Sequence, residues 1–276
     1  MKAQNRDTGE AVAIKHISNI FTHYYSFKKV MREIQILREL TKMKGNLFTT
    51  KLIEVLVPSN KDFDEIFIVM DYKSSDLKKL ISQEKGEDFS LTESDHLKII
   101  LYNIFCSVNF LHTANVVHRD LKPANVLIDS ECNIIICDFG IARTIEPQEP
   151  SKKHQRSKTV HVASRWYRAP ELIVGQTDYT CKVDIWSIGC ITTELISYTD
   201  KYRKDGYRLP IMNGGSCFPL SPCASYLKTS KEEQKESIIV DKDDQMIKIL
   251  QAVGHQSNDD LSFLTNDGGK DFITTL

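Results

Sequence analysis

The chain has almost no charge of either sign to spare. Its 36 Lys and Arg against 37 Asp and Glu leave a formal net charge of −1. A basic face for nucleic acid, or for an acidic membrane surface, is therefore not expected. No apolar run approaches the roughly 18 residues that a membrane helix needs. The opening residues Met1-Lys2-Ala3-Gln4-Asn5-Arg6-Asp7 are polar and do not read as a signal peptide. Seven cysteines contain no C-x-x-C pair, and their number is odd. This argues against a disulfide framework or a zinc site and for a reducing compartment, the cytoplasm first and the nucleus second. Glycine is sparse as well. No G-x-G-x-x-G occurs, and Gly9 is the only glycine before Lys15.

What is present is enough for a real core: 41% of 276 residues are hydrophobic. Ala11 to Lys15 has the composition of a short strand. Phe27, Val30, Ile34 and Leu37 recur at spacings of three and four, which predicts an amphipathic helix. Lys51 to Val57 and Glu65 to Met70 predict strands joined by a turn at Pro58-Ser59-Asn60. The polar stretch Asp71 to Ser75 then separates this part from a mostly helical one. Leu97, Leu101, Ile104, Val108 and Leu111 form one apolar stripe. Ile134-Ile135-Ile136 predicts a short buried strand. Asp184 to Ile196 is apolar on nearly all sides, which predicts a central helix. A basic loop carries Lys152, Lys153, Arg156 and Lys158. Tyr198 to Asp241 reads mostly as loop, and Asp244 to Val253 as a further helix. The expected fold is α+β and two-lobed.

The strongest chemical signal is His118-Arg119-Asp120-Leu121-Lys122-Pro123-Ala124-Asn125. Five fixed residues in one short window match H-R-D-L-x-x-x-N by chance on the order of once in 10⁴ chains of this length. Asp138-Phe139-Gly140 and Ala169-Pro170-Glu171 follow in order, and Val12-Ala13-Ile14-Lys15 precedes. Together these resemble the eukaryotic protein kinases. Ser164-Arg165-Trp166-Tyr167-Arg168-Ala169-Pro170-Glu171 and the segment Arg32-Glu33-Ile34-Gln35-Ile36-Leu37 are similar to the mitogen-activated, proline-directed Ser/Thr kinases.

The resemblance implies a set of roles. Asp120 would be the catalytic base, with Lys122 at the γ-phosphate and Asn125 and Asp138 on Mg²⁺. Lys15, paired with Glu33, would hold the ATP phosphates. Met70, Asp71 and Lys73 would line the adenine site, with Ala13 and Leu127 around its ring. Thr159 would be the activation-loop phosphosite, gripped by Arg32, Arg119 and Arg143. Ser164, Arg165 and Arg168 would form the substrate pocket. His118 would pack on Phe139 and Leu37, near Asp184. ATP and Mg²⁺ are the implied cofactors. Protein substrates and an upstream activating kinase are the implied partners, with the chain itself a monomer. The implied layout is an N-lobe at 1–70, a hinge at 71–76 and a C-lobe at 77–276.

The chain departs from the family pattern in three places. It has no glycine-rich loop before Lys15. No arginine follows Arg208 to pair with Glu171. The T-x-Y signature reads Thr159-Val160-His161. The chain is accordingly expected to be a domain truncated at both ends. A catalytically impaired scaffold and a cyclin-dependent type stand as alternatives.

Overall fold

The computed structural model describes residues 1–59, 63–82, 94–145, 164–198, 210–220, 241–254, 256–257 and 260–276. Thr159, His161 and the basic loop lie outside them. The chain packs as two compact units. One comprises Met1–His118 with Lys122–Ile145, the other Arg119–Leu121 with Glu146–Leu276.

The first unit opens with a four-stranded antiparallel sheet, in the order β1-β2-β4-β3. Its strands are β1 (Lys2–Gln4), β2 (Ala11–Ser18), β3 (Leu52–Leu56) and β4 (Glu65–Asp71). The predicted strands at these places hold, with β2 running three residues past Lys15. Helix α1 (Tyr24–Lys42) connects β2 to β3 and buries Val30, Ile34 and Leu37 of the stripe its spacing foretold, while Phe27, near its start, is only half-buried. Asn46 fixes the turn after it. Its amide donates to Leu40 O and Thr49 Oγ1, and its carbonyl accepts from Phe48 N and Thr49 N. A buried amide with all these bonds made carries little desolvation penalty.

A second, three-stranded sheet pairs β5 (Ser75–Asp76) with β7 (Val126–Ile128) and β7 with β8 (Ile134–Ile136). Thr50 N donates to Ile136 O and Ile136 N to Phe48 O, so β8 is tied to the segment just before β3. Helix α2 (Leu77–Ser82) follows β5, and helix α3 (Ser94–Thr113) buries Ile100, Ile104, Val108 and Leu111 completely. The two-residue strands β6 (Val116–Val117) and β9 (Arg143–Thr144) pair with each other.

The described part of the second unit is helical. It holds α4 (Pro170–Ile173), α5 (Lys182–Tyr198), α6 (Gln245–Val253) and α7 (Asp267–Thr275). Two corrections to the sequence reading arise here. Helix α5 is not buried all round, because Ile185 is 48% and Ile196 36% exposed, while its polar Asp184 and Ser187 face inward. Helix α7 was not foreseen, since Gly268 and Gly269 are poor helix formers. Packing overrides propensity there. A Cβ on Gly269 would lie 2.8 Å from Val174 Cβ, so glycine permits the close approach, while Phe272 and Ile273 are buried. Asn266 Nδ2 donates to Val174 O at 2.6 Å and fixes the start of this helix.

Candidate active site

Each unit carries one cluster of the predicted residues. In the first, Lys15 projects from β2, Glu33 from α1, and Asp138 from the segment after β8. Lys15 Nζ donates to Glu33 Oε1 at 2.6 Å and to Asp138 Oδ1 at 3.0 Å. These partners are 18 and 123 residues away in the chain. Strand β2 places Lys15 here because it pairs in register with Ile68, one of the most buried residues of β4.

The three charges respond differently to burial. Burial opposes the Lys15 charge, but Glu33 and Asp138 outweigh it, and its pKa rises. Burial likewise opposes ionisation of Asp138, yet Lys15 prevails and its carboxyl stays below the usual range. At Glu33 burial wins and its carboxyl is pushed up, despite Lys15. The asymmetry follows from exposure: the Glu33 side chain is 4% accessible and that of Lys15 36%. The same ion pair therefore holds the lysine proton firmly and only partly offsets the burial of its partner.

The neighbouring groups fix Asp138 further. Its φ of 65° is left-handed, which a non-glycine residue rarely adopts. His118 Nε2 contacts Cys137 O at 2.9 Å, and its ring meets Phe139 edge-on at 5.3 Å. Cys137 N donates to Asn125 O, which joins the Asn125 turn to the residue before Asp138. Lys122 adds a cation that also favours the Asp138 carboxylate.

The proposed adenine residues lie on the two sheets of the same unit, except Lys73, which is in the connection between β4 and β5. Ala13 and Met70 are directly opposed in the β2–β4 register. Leu127 pairs with Ile135 and Asp76. Asp71 exchanges bonds with Lys51: its amide donates to Lys51 O and its carboxylate accepts Lys51 N. Lys73 Nζ sits 2.8 Å from Asp129 Oδ2. Burial opposes the Asp129 charge, but Lys73 and Asn133 hold its carboxyl below the usual range. Arg32 is on α1 beside Glu33, and Arg143 on β9.

In the second unit, Asp120 Oδ1 accepts the backbone N–H of Ser164 at 2.7 Å. Arg119, with φ 66°, donates its own amide to the fully buried Asp184 at 2.8 Å. Its guanidinium donates to the Tyr179 hydroxyl and lies over that ring. Ser164 begins a short 3₁₀ turn, Arg165–Tyr167, held from α5: Ser187 Oγ donates to Tyr167 O, and Tyr167 Oη to Glu194 Oε2. Burial raises the Glu194 carboxyl. Burial also raises that of Glu171, against the pull of Lys182.

Sequence reasoning missed Ser187, Glu194 and Tyr179. The spacing of Asp184, Ser187 and Glu194, at i, i+3 and i+10, was the available signal, for it places three polar groups along one face of α5.

A family model described as "Protein kinase domain" matches residues 1–259. Mitogen-activated protein kinase 7 of Arabidopsis thaliana is 33% identical over 273 residues, 99% of this chain and 61% of that protein. The mitogen-activated protein kinase homolog NTF6 of Nicotiana tabacum is 33% identical over 274 residues, 99% of this chain and 60% of its own length. The mitogen-activated protein kinase mpkA of Aspergillus fumigatus is 38% identical over 196 residues, 70% of this chain and 43% of its own. The chain thus spans at most about three fifths of these curated relatives.

Proposed function

We propose that this chain, which belongs to the protein kinase domain family, acts as a Ser/Thr kinase of the mitogen-activated type in signal transduction. The observation that carries the reading is the joining of Lys15, Glu33 and Asp138, from a strand, a helix and a loop, into one charged cluster. A buried structural ion pair needs only two members and gains little net stability. A cation shared between a buried and a half-exposed carboxylate is suited to receive phosphate.

Phosphoryl transfer needs positioning and charge neutralisation more than covalent help. Lys15 holds the ATP phosphates, oriented by Glu33. Backbone groups of Asp71 and Lys73 pair with adenine beyond Met70, and Ala13 and Leu127 cover the ring. Asp120 orients the substrate hydroxyl and takes its proton as the oxygen bonds to the γ-phosphorus. The bond from that phosphorus to the β,γ-bridging oxygen breaks, and ADP leaves. Lys122 stabilises the transferring group. The hard oxygens of Asp138, kept ionised by Lys15, and of Asn125 fit Mg²⁺, which takes few carboxylates beside phosphate oxygens. That ion, when bound, neutralises phosphate charge.

The layout that goes with this reading is an N-lobe at 1–70, a hinge at 71–76 and a C-lobe at 77–276. The substrates are proteins, read through Ser164, Arg165 and Arg168 at a Ser/Thr-Pro site. An upstream kinase phosphorylates Thr159, whose phosphate partners are Arg32, Arg119 and Arg143. The chain works as a monomer in the cytoplasm and nucleus, where its six described cysteines remain free thiols.

The test is phosphate transfer from labelled ATP to a Ser-Pro peptide by the 276-residue chain and its Asp120→Asn variant. The variant should lose at least about 100-fold in turnover while nucleotide affinity stays within twofold. Near-normal turnover would remove Asp120 from the chemistry.

A further inference from the structure

The sequence Gly214-Gly215-Ser216-Cys217 carries no recognisable chemistry, yet three side chains of the Ser164–Arg168 segment converge on it. Arg165 Nη1 donates to Gly214 O at 3.3 Å and also to Gly215 O. Trp166 Nε1 donates to Gly214 O at 3.1 Å. Arg168 Nη1 reaches Cys217 Sγ at 3.3 Å. These partners are 48 to 50 residues away in the chain.

The loop is fixed from its other side by the start of α6. Gly214 N donates to Gln245 Oε1, Gly215 N to Asp243 O, and Gln245 N to Ser216 O. Asp244, completely buried, accepts from Ser216 Oγ and Phe218 N while capping α6 through Met246 N. Glycine is required at the centre. A Cβ on Gly214 would lie 2.6 Å from both Cα and N of Gln245, atoms that cannot swing aside. The loop is thus a rigid row of acceptors.

The held segment is placed for function as well as for packing. Its first residue, Ser164, gives its N–H to Asp120 Oδ1, and its Trp166 is 40% exposed. Any shift in Arg165 or Trp166 therefore reaches the atom that orients Asp120 within one residue. We propose that Gly214–Cys217 is a positioning clamp that sets the substrate-reading segment Ser164–Arg168 and, through Ser164, the Asp120 carboxylate. This rests on the kinase reading for its functional half, while the clamp is a matter of geometry alone. Arg165 and Arg168 are positioning and specificity residues in this scheme, preset by neutral acceptors.

The experiment uses the full 276-residue chain with Gly214→Ala, Cys217→Ala and Cys217→Ser, and Gly189→Ala as control, since a Cβ there meets open space. Amide hydrogen exchange across 164–168 reads the clamp without any substrate. Steady-state kinetics with ATP and a Ser-Pro peptide reads its use. Gly214→Ala should speed exchange in 164–168 at least about tenfold and raise the peptide KM by a similar factor, with nucleotide Kd within twofold. Cys217→Ala should do the same more weakly. Cys217→Ser, which keeps an acceptor for Arg168, should restore most of the loss. Unchanged exchange in 164–168 overturns the proposal. So does an equal effect of Cys217→Ala and Cys217→Ser, or a loss of nucleotide affinity in step with peptide KM. Should Gly214→Ala fail to fold, the two Cys217 variants decide alone. Should the wild-type chain phosphorylate no peptide, the kinase reading falls, and exchange still decides the clamp.

Discussion

In the first unit, Lys15 Nζ is held by two carboxylates, at 2.6 and 3.0 Å. In the second, Arg165, Trp166 and Arg168 are held by two main-chain carbonyls and a thiol. Both arrangements fix cationic side chains, the second a neutral indole as well, and they do it by different means. Where charge answers charge, every member tunes the ionisation of the others, and one substitution leaves a buried charge unanswered. Where main-chain carbonyls answer, shape decides, so the sensitive position is a glycine with no chemistry of its own. The first kind suits groups that must exchange partners when phosphate arrives. The second suits groups that must not move.

The largest expected effect breaks the charged region. Lys15→Met removes the shared cation and leaves Glu33, 3% exposed, with its charge unanswered. Phosphoryl transfer should fall at least about 100-fold. Stability should fall by about 1–3 kcal/mol, or less if Glu33 takes up a proton. Thermal melting and a transfer assay check both. The double variant Lys15→Met/Glu33→Gln should recover stability but not activity. If the double variant is no more stable than Lys15→Met, the strain is not the buried carboxylate.

Acid sharpens the same contrast. The Glu33 carboxyl is raised by burial, so it takes up a proton above its ordinary value of 4.5. A raised folded pKa adds stability that is complete below the unfolded value and lost as pH rises through the folded one. Asp138, held low, has the opposite sign: its contribution is present above 3.8 and disappears as pH falls through its folded pKa. The Lys15 contribution is lost only as pH rises beyond 10.5, through its folded pKa. Above pH 4.5 the two readouts must therefore diverge as Glu33 takes up its proton. As pH falls, the Glu33 contribution to stability grows while activity drops about tenfold per pH unit, because Lys15 loses its charged partner. Asp71, Glu171 and Glu194 are raised by burial too, so the wild type must be compared with Glu33→Gln. The difference in melting temperature between the two should change across this window. A difference that stays flat removes Glu33 as the titrating group.

The same division explains what could be read in the sequence. Lys15, Glu33, Asp120, Asn125 and Asp138 could be named because their motifs stand at recognisable spacings in the sequence, and the structure brings Lys15, Glu33 and Asp138 together. A tight β7–β8 hairpin also fixes the distance from Asn125 to Asp138 in the chain. The strands and the α1 stripe were legible because burial imposes periods of two and 3.6. The clamp was not legible, because carbonyl acceptors leave no side-chain signature and Gly214 lies 49 residues from Arg165. The polar face of α5 was hidden by the apolar residues around it. Helix α7 was hidden because its glycines argue against a helix, and the reason for Gly269, the close approach of Val174, lies far away in the chain.

The smallest expected effect uses a thiol as a gauge of the charged region. Cys137 lies between β8 and Asp138 and is only half-buried, as are Cys106 and Cys181. Accessibility alone would let reagents reach all three. Burial, with the Asp138 charge beside it, pushes the Cys137 thiol up to about 12. At pH 7.5 only roughly one molecule in 10⁴ to 10⁵ would then carry the reactive thiolate there. Iodoacetamide followed by peptide mass spectrometry should label Cys106 and Cys181 first, with Cys137 at least about tenfold slower. The charged neighbours should move that rate in a defined order. Asp138→Asn removes an anion that raises the thiol, so labelling should speed up severalfold. Lys15→Met removes a cation that lowers it, so labelling should slow further. Gly214→Ala, in the neutral region, should leave the Cys137 rate unchanged. If Asp138→Asn and Lys15→Met shift the rate in the same direction, the residue reports on access rather than charge, and the contrast between the two regions loses its electrostatic basis.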